Sequence, residues 1–367
     1  MSVNPPFRAD IVGSFLRPVA LKAARARRDA GEISADELRL VEDGLVTTVI
    51  EQQQNAGLHL ATDGEFRRSW WHFDFFDGLE GVEIVETDHG IQFQGVQTSS
   101  RTVRVTGRIA FPPDHPMLEH YRFLQANTTV TPKMSIPAPT VMHFRLEQGA
   151  VDSSVYADPE DMFDDLARAY RDAVAAFYEA GCRYLQFDDT AWAYLCSEQE
   201  LAKAAGRGIR VDGLADRYAA LLNASLAGKP DDLVITTHVC RGNFRSTWIS
   251  SGGYEPVAKQ LLGDCNYDGY FLEYDSDRAG TFEPLRHLVG KDKVVVLGLV
   301  TTKSGELERR ELVKHRIAEA AQIVPLEQLA LSPQCGFAST EEGNDLTDEQ
   351  QWAKIREVVD IAAEVWG

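Results

Sequence analysis

Positive charge is what this chain has least of for its size. Against 56 acidic residues stand 37 lysines and arginines, a formal net charge of −19. So acidic a surface repels phosphate backbones and anionic headgroups, which excludes nucleic acid and anionic membrane surfaces as partners. Long apolar runs are missing too. No stretch reaches the roughly 20 residues that span a bilayer, and Met1–Asp10 has no signal-peptide core. Cysteine is scarce: five residues, an odd number, widely scattered. That is no disulfide framework, and the expected compartment is the reduced cytoplasm, where thiols stay free to bind metal. The dinucleotide glycine fingerprint and the phosphate-loop pattern are both absent. No internal repeat, low-complexity tract or linker interrupts the chain.

What is present is ordinary globular composition, 44% hydrophobic and 25% charged over 367 residues, enough for a large core. Eight short apolar stretches recur along it: Ala9–Phe15, Gly57–Glu65, Thr131–Ala138, Arg183–Asp189, Leu233–Val239, Tyr270–Asp275, Lys293–Leu299 and Leu329–Gly336. They do not alternate polar with apolar, so they read as parallel strands buried on both faces. Helical patterns lie between them. Ser34 and Glu37 are spaced as a capping box, and Pro159 opens a helix running to Ala180. Further helices are expected over Pro18–Asn55, His115–Asn127, Ser197–Leu226, Glu255–Leu262, Thr281–Leu288, Glu306–Val324 and Thr347–Val365. Eight such units predict a single-domain (β/α)8 TIM barrel over residues 1–367, with an open doubly wound sheet as the alternative. Residues from about 66 to 110 break the pattern. They begin with Trp70, Trp71, Phe73, Phe75 and Phe76, then alternate in Gly90–Gln94 and Thr102–Thr106. They read as an insertion after the second strand, carrying a β-hairpin over one end of the core.

In a barrel of this kind the working residues stand where strands end. Leu233-Val234-Ile235 runs into Thr236-Thr237-His238-Val239-Cys240-Arg241-Gly242-Asn243. His238 and Cys240 are two apart, so on an extended chain they share a face. An imidazole and a thiolate side by side are half of a zinc site, although a packed cysteine beside a surface histidine gives the same pair. Cys335, at the end of the eighth strand, adds a second thiolate, and Glu273, at the end of the sixth, is a plausible fourth ligand. Two thiolates and a carboxylate outweigh a divalent charge, which suits sulfur alkylation better than hydrolysis. Cys182, Cys196 and Cys265 read as structural. Ser14, Glu65 and Asp188 stand at other strand ends. Two carboxylates there suit an ammonium group, although Glu65 alone could be a solvated loop acid, and Asp188 or Asp189 a helix cap.

Taken together, these fragments resemble the cobalamin-independent methionine synthase family, above all its short single-barrel members. Val12-Gly13-Ser14-Phe15, Asp63-Gly64-Glu65 and Leu185-Gln186-Phe187-Asp188-Asp189 match its substrate loops. His238-x-Cys240, the glutamate of Phe271-Leu272-Glu273, and Pro333-Gln334-Cys335-Gly336 match its four zinc positions, in the right order and nearly end to end. The resemblance implies a zinc-dependent methyltransferase whose partners are a small-molecule thiol and a methyl donor. Ser14, Glu65 and Asp188 would hold the amino-acid part of homocysteine, and a 5-methyltetrahydrofolate-type donor would supply the methyl group that makes methionine. Self-association as a homo-oligomer is compatible with this composition. Two departures touch the donor. Thr301-Thr302-Lys303-Ser304 stands where the family carries a proton-moving histidine. Lys303 is therefore the candidate catalytic residue, either shuttling a proton or, as a cation, holding an acidic part of the donor. The family's folate-stacking tryptophan has no counterpart, with Phe144 or His143 near that place. Alternative expectations are a zinc-dependent alkyltransferase resembling the epoxyalkane–coenzyme M transferases, and a non-catalytic barrel that binds zinc or thiols.

Overall fold

Strands buried on both faces need helices on the outside and packed side chains within, and that is how this chain is arranged. The computed structural model describes residues 4–87, 92–93, 96–97 and 101–367. Its strands are β1 (Leu60–Ala61), β2 (Glu80–Glu86), β3 (Gln92–Phe93), β4 (Val96–Gln97), β5 (Arg101–Ala110), β6 (Thr131–Pro132), β7 (Met134–Pro137), β8 (Tyr184–Asp188), β9 (Val234–Val239), β10 (Gly269–Glu273), β11 (Val294–Val300) and β12 (Leu329–Pro333). Six of them form one parallel sheet in the order β12-β11-β10-β9-β8-β7. β1 and β6 make a separate parallel pair.

The absence of alternation has a physical cause here. Tyr270, Leu272, Val295, Leu297, Leu329 and Leu331 point into the large core. Their strand neighbours Phe271, Val296 and Ala330 point the other way and close a second small core with Val12.

The stretch expected as the first strand does not become one. Among the described residues its only bridge is Ala9 beside Leu331, parallel, with Asp10 N donating to Leu331 O (3.0 Å). Asp10 is the reason. Its carboxylate accepts from the backbone N–H groups of Phe7 (3.0 Å) and Ile11 (2.8 Å), so those donors are not offered to a neighbouring strand. Beyond it, Thr62 Oγ1 donates to Gly13 O (2.6 Å) and Phe15 N to Gly64 O (3.1 Å). Among the described residues no backbone ladder joins residues 9–15 to β1, so the sheet is parallel and α/β but its hydrogen bonds do not close an eight-stranded barrel. Asp10 also anchors the interior. Lys133 Nζ lies 3.0 Å from its Oδ1, Tyr184 OH donates to its Oδ2 (2.8 Å), and both side chains of the ion pair are fully buried.

Helices follow the expected punctuation in several places. The Ser34–Glu37 capping box forms at the head of Ala35–Asn55, and Thr347 caps Asp348–Trp366. Pro159 opens one 3-10 turn before the helix Phe163–Glu179. The long helix expected over Ser197–Leu226 is two, Glu198–Gly206 and Leu214–Leu226, parted by Gly208 and Gly213 at φ +90° and +64°. The helices expected near 255–262 and 281–288 are a π turn, Lys259–Asp264, and a 3-10 turn, Glu283–His287. β2 pairs with β5 antiparallel, and β3 with β4. Gly90, Ile91 and Gln94 of the expected hairpin lie outside the described residues. No described helix is long and apolar enough to cross a membrane.

Candidate metal centre and substrate cavity

Parallel pairing sets strand ends level with one another, and here it stacks the polar residues. Asp188 of β8 is in register with His238 of β9, which is in register with Phe271 of β10, two residues before Glu273. Cys240 follows β9 directly, and Cys335 follows β12. One ligand atom from each of His238, Cys240, Glu273 and Cys335 lies within 4.8 Å of the others, and all four residues are buried. The two Sγ atoms are 3.6 Å apart, and no disulfide joins them. These four residues could hold a metal ion.

Their surroundings prepare each one. His238 Nδ1 lies 3.2 Å from Asp188 Oδ1, and Nε2 lies 3.1 Å from Gln334 O. Glu273 Oε1 accepts from Arg241 N (3.0 Å), while Oε2 is buried without a partner. Burial opposes charge on Cys335, but the hydrogen bond from Cys240 and the charge of His238 hold its thiol well below the usual range. That same hydrogen bond, with burial, pushes Cys240 up. Burial works against charge on His238 as well, yet Cys335 and Asp188 lift it to about 10. A second anchor is Asn243, the last residue of the Thr236–Asn243 stretch. Its Nδ2 donates to Gly336 O (2.7 Å), and Asn344 Nδ2 donates to its Oδ1 (2.9 Å), so the loops carrying Cys240 and Cys335 are tied together.

The cluster opens on a cavity at the strand ends. Ser14, Glu65, Asp188, His238, Cys240 and Cys335 all line it, so six residues singled out in the sequence meet at one place. Glu65 is buried and holds φ +59°, a left-handed backbone that costs a non-glycine residue energy and is found at constrained sites. Its Oε1 accepts from Ser135 Oγ (3.2 Å), and Oε2 has no partner. Burial raises its pKa to about 7 despite the nearby Arg68 and Arg17 cations. Ser14 Oγ accepts from Ala338 N (3.3 Å).

Two expected residues do not face this cavity. Glu273 is absent from the wall. Lys303 is absent from the wall; its Nζ is buried without a hydrogen-bond partner, 4.0 Å from Asp275 Oδ2. Neither His143 nor Phe144 reaches it either. His143 Nδ1 lies 2.8 Å from Tyr218 OH, and Phe144 packs on Tyr194 at 5.3 Å. The cavity is lined as well by Trp70, Trp71, His72, Arg145, Thr190 and Tyr194. The aromatic run at 70–76 was visible in the sequence, but nothing there directed it to the strand ends. An antiparallel bridge from Trp70 to Thr340 and the bond from Trp71 N to Ser339 O (3.2 Å) bring it there.

A parallel α/β sheet here gathers two thiols, an imidazole and a carboxylate, a set that could hold a metal ion, beside a cavity at its strand ends. The chain belongs to the cobalamin-independent methionine synthase family: the model of the "cobalamin-independent synthase, catalytic domain" matches residues 7–364. It is a methyltransferase of that family. A protein of Bacillus subtilis known as uncharacterized protein YxjH is 52% identical over 362 residues, covering 98% of this chain and 95% of its own. The methionine synthase of Saccharolobus solfataricus is 24% identical over 348 residues, covering 92% and 90% respectively. A provisionally assigned vitamin-B12 independent methionine synthase from Listeria monocytogenes superposes with a TM-score of 0.78 at 42% identity, over 99% of this chain and 98% of that one.

Proposed function

We propose that this methyltransferase moves a methyl group from a 5-methyltetrahydrofolate-type donor to homocysteine, giving methionine, with a zinc ion held by His238, Cys240, Glu273 and Cys335. The observation that carries the reading is the convergence of their four ligand atoms within 4.8 Å at three strand ends. The donor set fits the ion. Two thiolates on a tetrahedral zinc at about 2.3 Å stand about 3.8 Å apart, and the two Sγ atoms here are 3.6 Å apart. The orphaned Oε2 of Glu273 gains the partner that a buried carboxylate oxygen lacks. When bound, zinc supplies the charge that keeps a substrate thiol deprotonated at neutral pH.

The remaining steps belong to side chains. Glu65 and Asp188 take the homocysteine ammonium, and Ser14 orients its carboxylate. Asp188 also fixes the ring of His238, as carboxylates behind ligating histidines commonly do. Lys303 stands outside the cavity wall. We assign it counter-charge for the thiolates, beside the donor-side role expected from its position. We also read the parallel sheet and the Ala9 bridge as one eight-stranded barrel over the whole chain, with residues 66–110 as its insertion. A sulfonate-bearing thiol such as coenzyme M would meet Glu65 and Asp188 with the wrong charge. The test is incubation of zinc-loaded protein with homocysteine and a panel of methyl donors, with mass detection of methionine. Product from no donor, or equal methylation of thiols that lack an amino group, refutes the reading.

A further inference from the structure

His72 is the most unusual group in the cavity wall. It is 0% exposed, yet neither Nδ1 nor Nε2 has a hydrogen-bond partner. A buried polar group left in that state costs free energy that a ligand can recover. The ring cannot turn away to find a partner, because Phe73 and Trp71 hold it with centroids 4.0 Å and 4.5 Å distant. Burial, followed by the nearby Arg145 cation, keeps its pKa well below the ordinary histidine range. It therefore offers one N–H donor and one lone pair, without charge.

The neighbours narrow the class of ligand. Trp70, Trp71 and Tyr194 line the same cavity. Arg145 Nη2 donates to Tyr194 OH (3.0 Å), and its Nε is buried without a partner. Among the described residues no carboxylate lies within ion-pair distance of Arg145. The two carboxylates that face the cavity, Glu65 and Asp188, are on the side assigned to the homocysteine ammonium. This wall is aromatic, carries one cation, and lacks an anion.

We propose that His72 is a specificity-determining residue of this enzyme: its imidazole hydrogen-bonds the methyl donor, and the wall around it selects an uncharged or anionic planar donor over a cationic sulfonium or ammonium. The proposal rests on the assignment of the homocysteine ammonium to Glu65 and Asp188. A planar heterocycle carrying N–H and C=O or ring-nitrogen groups can hydrogen-bond one ring nitrogen of His72, stack on the indoles, and extend a carboxylate towards Arg145. A cationic methyl donor would bury a like charge beside Arg145 with no counter-ion.

The experiment uses the zinc-loaded full chain and reads binding through quenching of tryptophan fluorescence, with 5-methyltetrahydrofolate and S-methylmethionine as probes. The wild type is expected to bind the folate and not the sulfonium. His72→Phe keeps the flat ring and should weaken folate binding about tenfold, the loss of one hydrogen bond, while zinc content and homocysteine affinity stay unchanged. His72→Asn, which keeps a donor and an acceptor, should recover part of the loss. Nitrogen-15 NMR of the ligand-free protein should show His72 uncharged at neutral pH. Unchanged folate affinity in His72→Phe, tighter binding of the sulfonium by the wild type, or an imidazolium at position 72 would each overturn the proposal. Failure of the wild type to methylate homocysteine from any donor would instead remove the function proposed above.

Discussion

Asp188 Oδ1 stands 3.2 Å from Nδ1 of His238, on the neighbouring strand and in register with it. Gln186 Nε2 donates to the same oxygen at 2.8 Å and fixes the carboxylate in turn. Asp188 thus faces two ways, towards the metal-ligand cluster and into the cavity. From its sequence position alone it would bind only the substrate ammonium, and removing its charge would leave zinc untouched. The contact with His238 alters that expectation. Asp188→Asn should lower zinc affinity roughly 10- to 100-fold, the usual effect of losing a group that orients a ligand, and should raise the KM for homocysteine as well. Chelator competition with parallel kinetics measures both. Unaltered zinc affinity would leave Asp188 with the substrate role alone.

Cys335→Ser should remove zinc without unfolding the chain. The sheet is held by apolar residues on both faces, and Cys335 lies beyond the last strand. Zinc content by elemental analysis is expected to fall sharply, with far-ultraviolet circular dichroism unchanged. Full zinc occupancy in the variant would take Cys335 out of the site.

Much of this was legible in the sequence, for physical reasons. Residues of β8, β10 and β12 are buried throughout, so their codes are mainly apolar and do not alternate, as a doubly covered parallel strand requires. His238, Cys240, Glu273 and Cys335 follow from that, because parallel strands bring their ends together. What sequence patterning could not show is competition for backbone donors. The side chain of Asp10 takes the N–H groups of Phe7 and Ile11, and a strand expected from hydrophobicity is reduced to one bridge. Nor could it place His72, which is distant in sequence from every other cavity residue except its aromatic neighbours and Glu65. Its value lies in an absence of partners that only coordinates reveal.

Glu65 makes substrate binding depend on pH. Burial raises its pKa from 4.5 to about 7, outweighing the arginines nearby. The raised value means that the folded state disfavours the charged form. Its contribution to stability is therefore fully present below the unfolded pKa and lost as pH rises towards about 7. An ammonium ligand requires the charged form. Beyond the dependence set by its own thiol, homocysteine affinity should then show a further fall of up to about tenfold for each pH unit below about 7. Binding near pH 7 should release a proton, measurable by calorimetry in two buffers of different ionisation enthalpy. Glu65→Gln should bind weakly with no such dependence. A wild-type profile that is flat from pH 5 to pH 7 contradicts the role.

The buried pair Lys133–Asp10 supplies a stability test away from the chemistry. Lys133 Nζ also donates to Ile11 O and lies 4.0 Å from the centre of the Phe271 ring. Lys133→Met leaves the Asp10 carboxylate buried and uncompensated, an expected loss of about 3–5 kcal/mol. Replacing both partners, Asp10→Leu with Lys133→Met, should cost less than the single change. Denaturant melts of the three proteins decide it. A double variant less stable than Lys133→Met would mean that the hydrogen bonds from Phe7 and Ile11 to Asp10 matter more than the charge pairing.

Gly336 follows Cys335, and a methyl group added there would come within 1.9 Å of Ser14 Oγ and 3.0 Å of its Cβ. The glycine cannot retreat easily. Its carbonyl accepts from Asn243 Nδ2 (2.7 Å) and Thr302 Oγ1 (3.1 Å), which fixes this turn from two sides. Ser14 must therefore give way, and with it the hydroxyl proposed to orient the substrate carboxylate. Gly336→Ala should raise the KM for homocysteine about 10- to 100-fold, the range for losing a hydrogen bond to a charged group, with a smaller change in kcat. Zinc should be retained, since Cys335 keeps its place through the same loop bonds. The clash predicts strong coupling between the two positions. With Ser14→Gly already in place the hydroxymethyl group is gone, and the added methyl should then cost little more. Independent, additive effects of the two substitutions on KM would show that Gly336→Ala acts through some other displacement. Ser14 would then have to be tested as a substrate ligand by its own substitution alone.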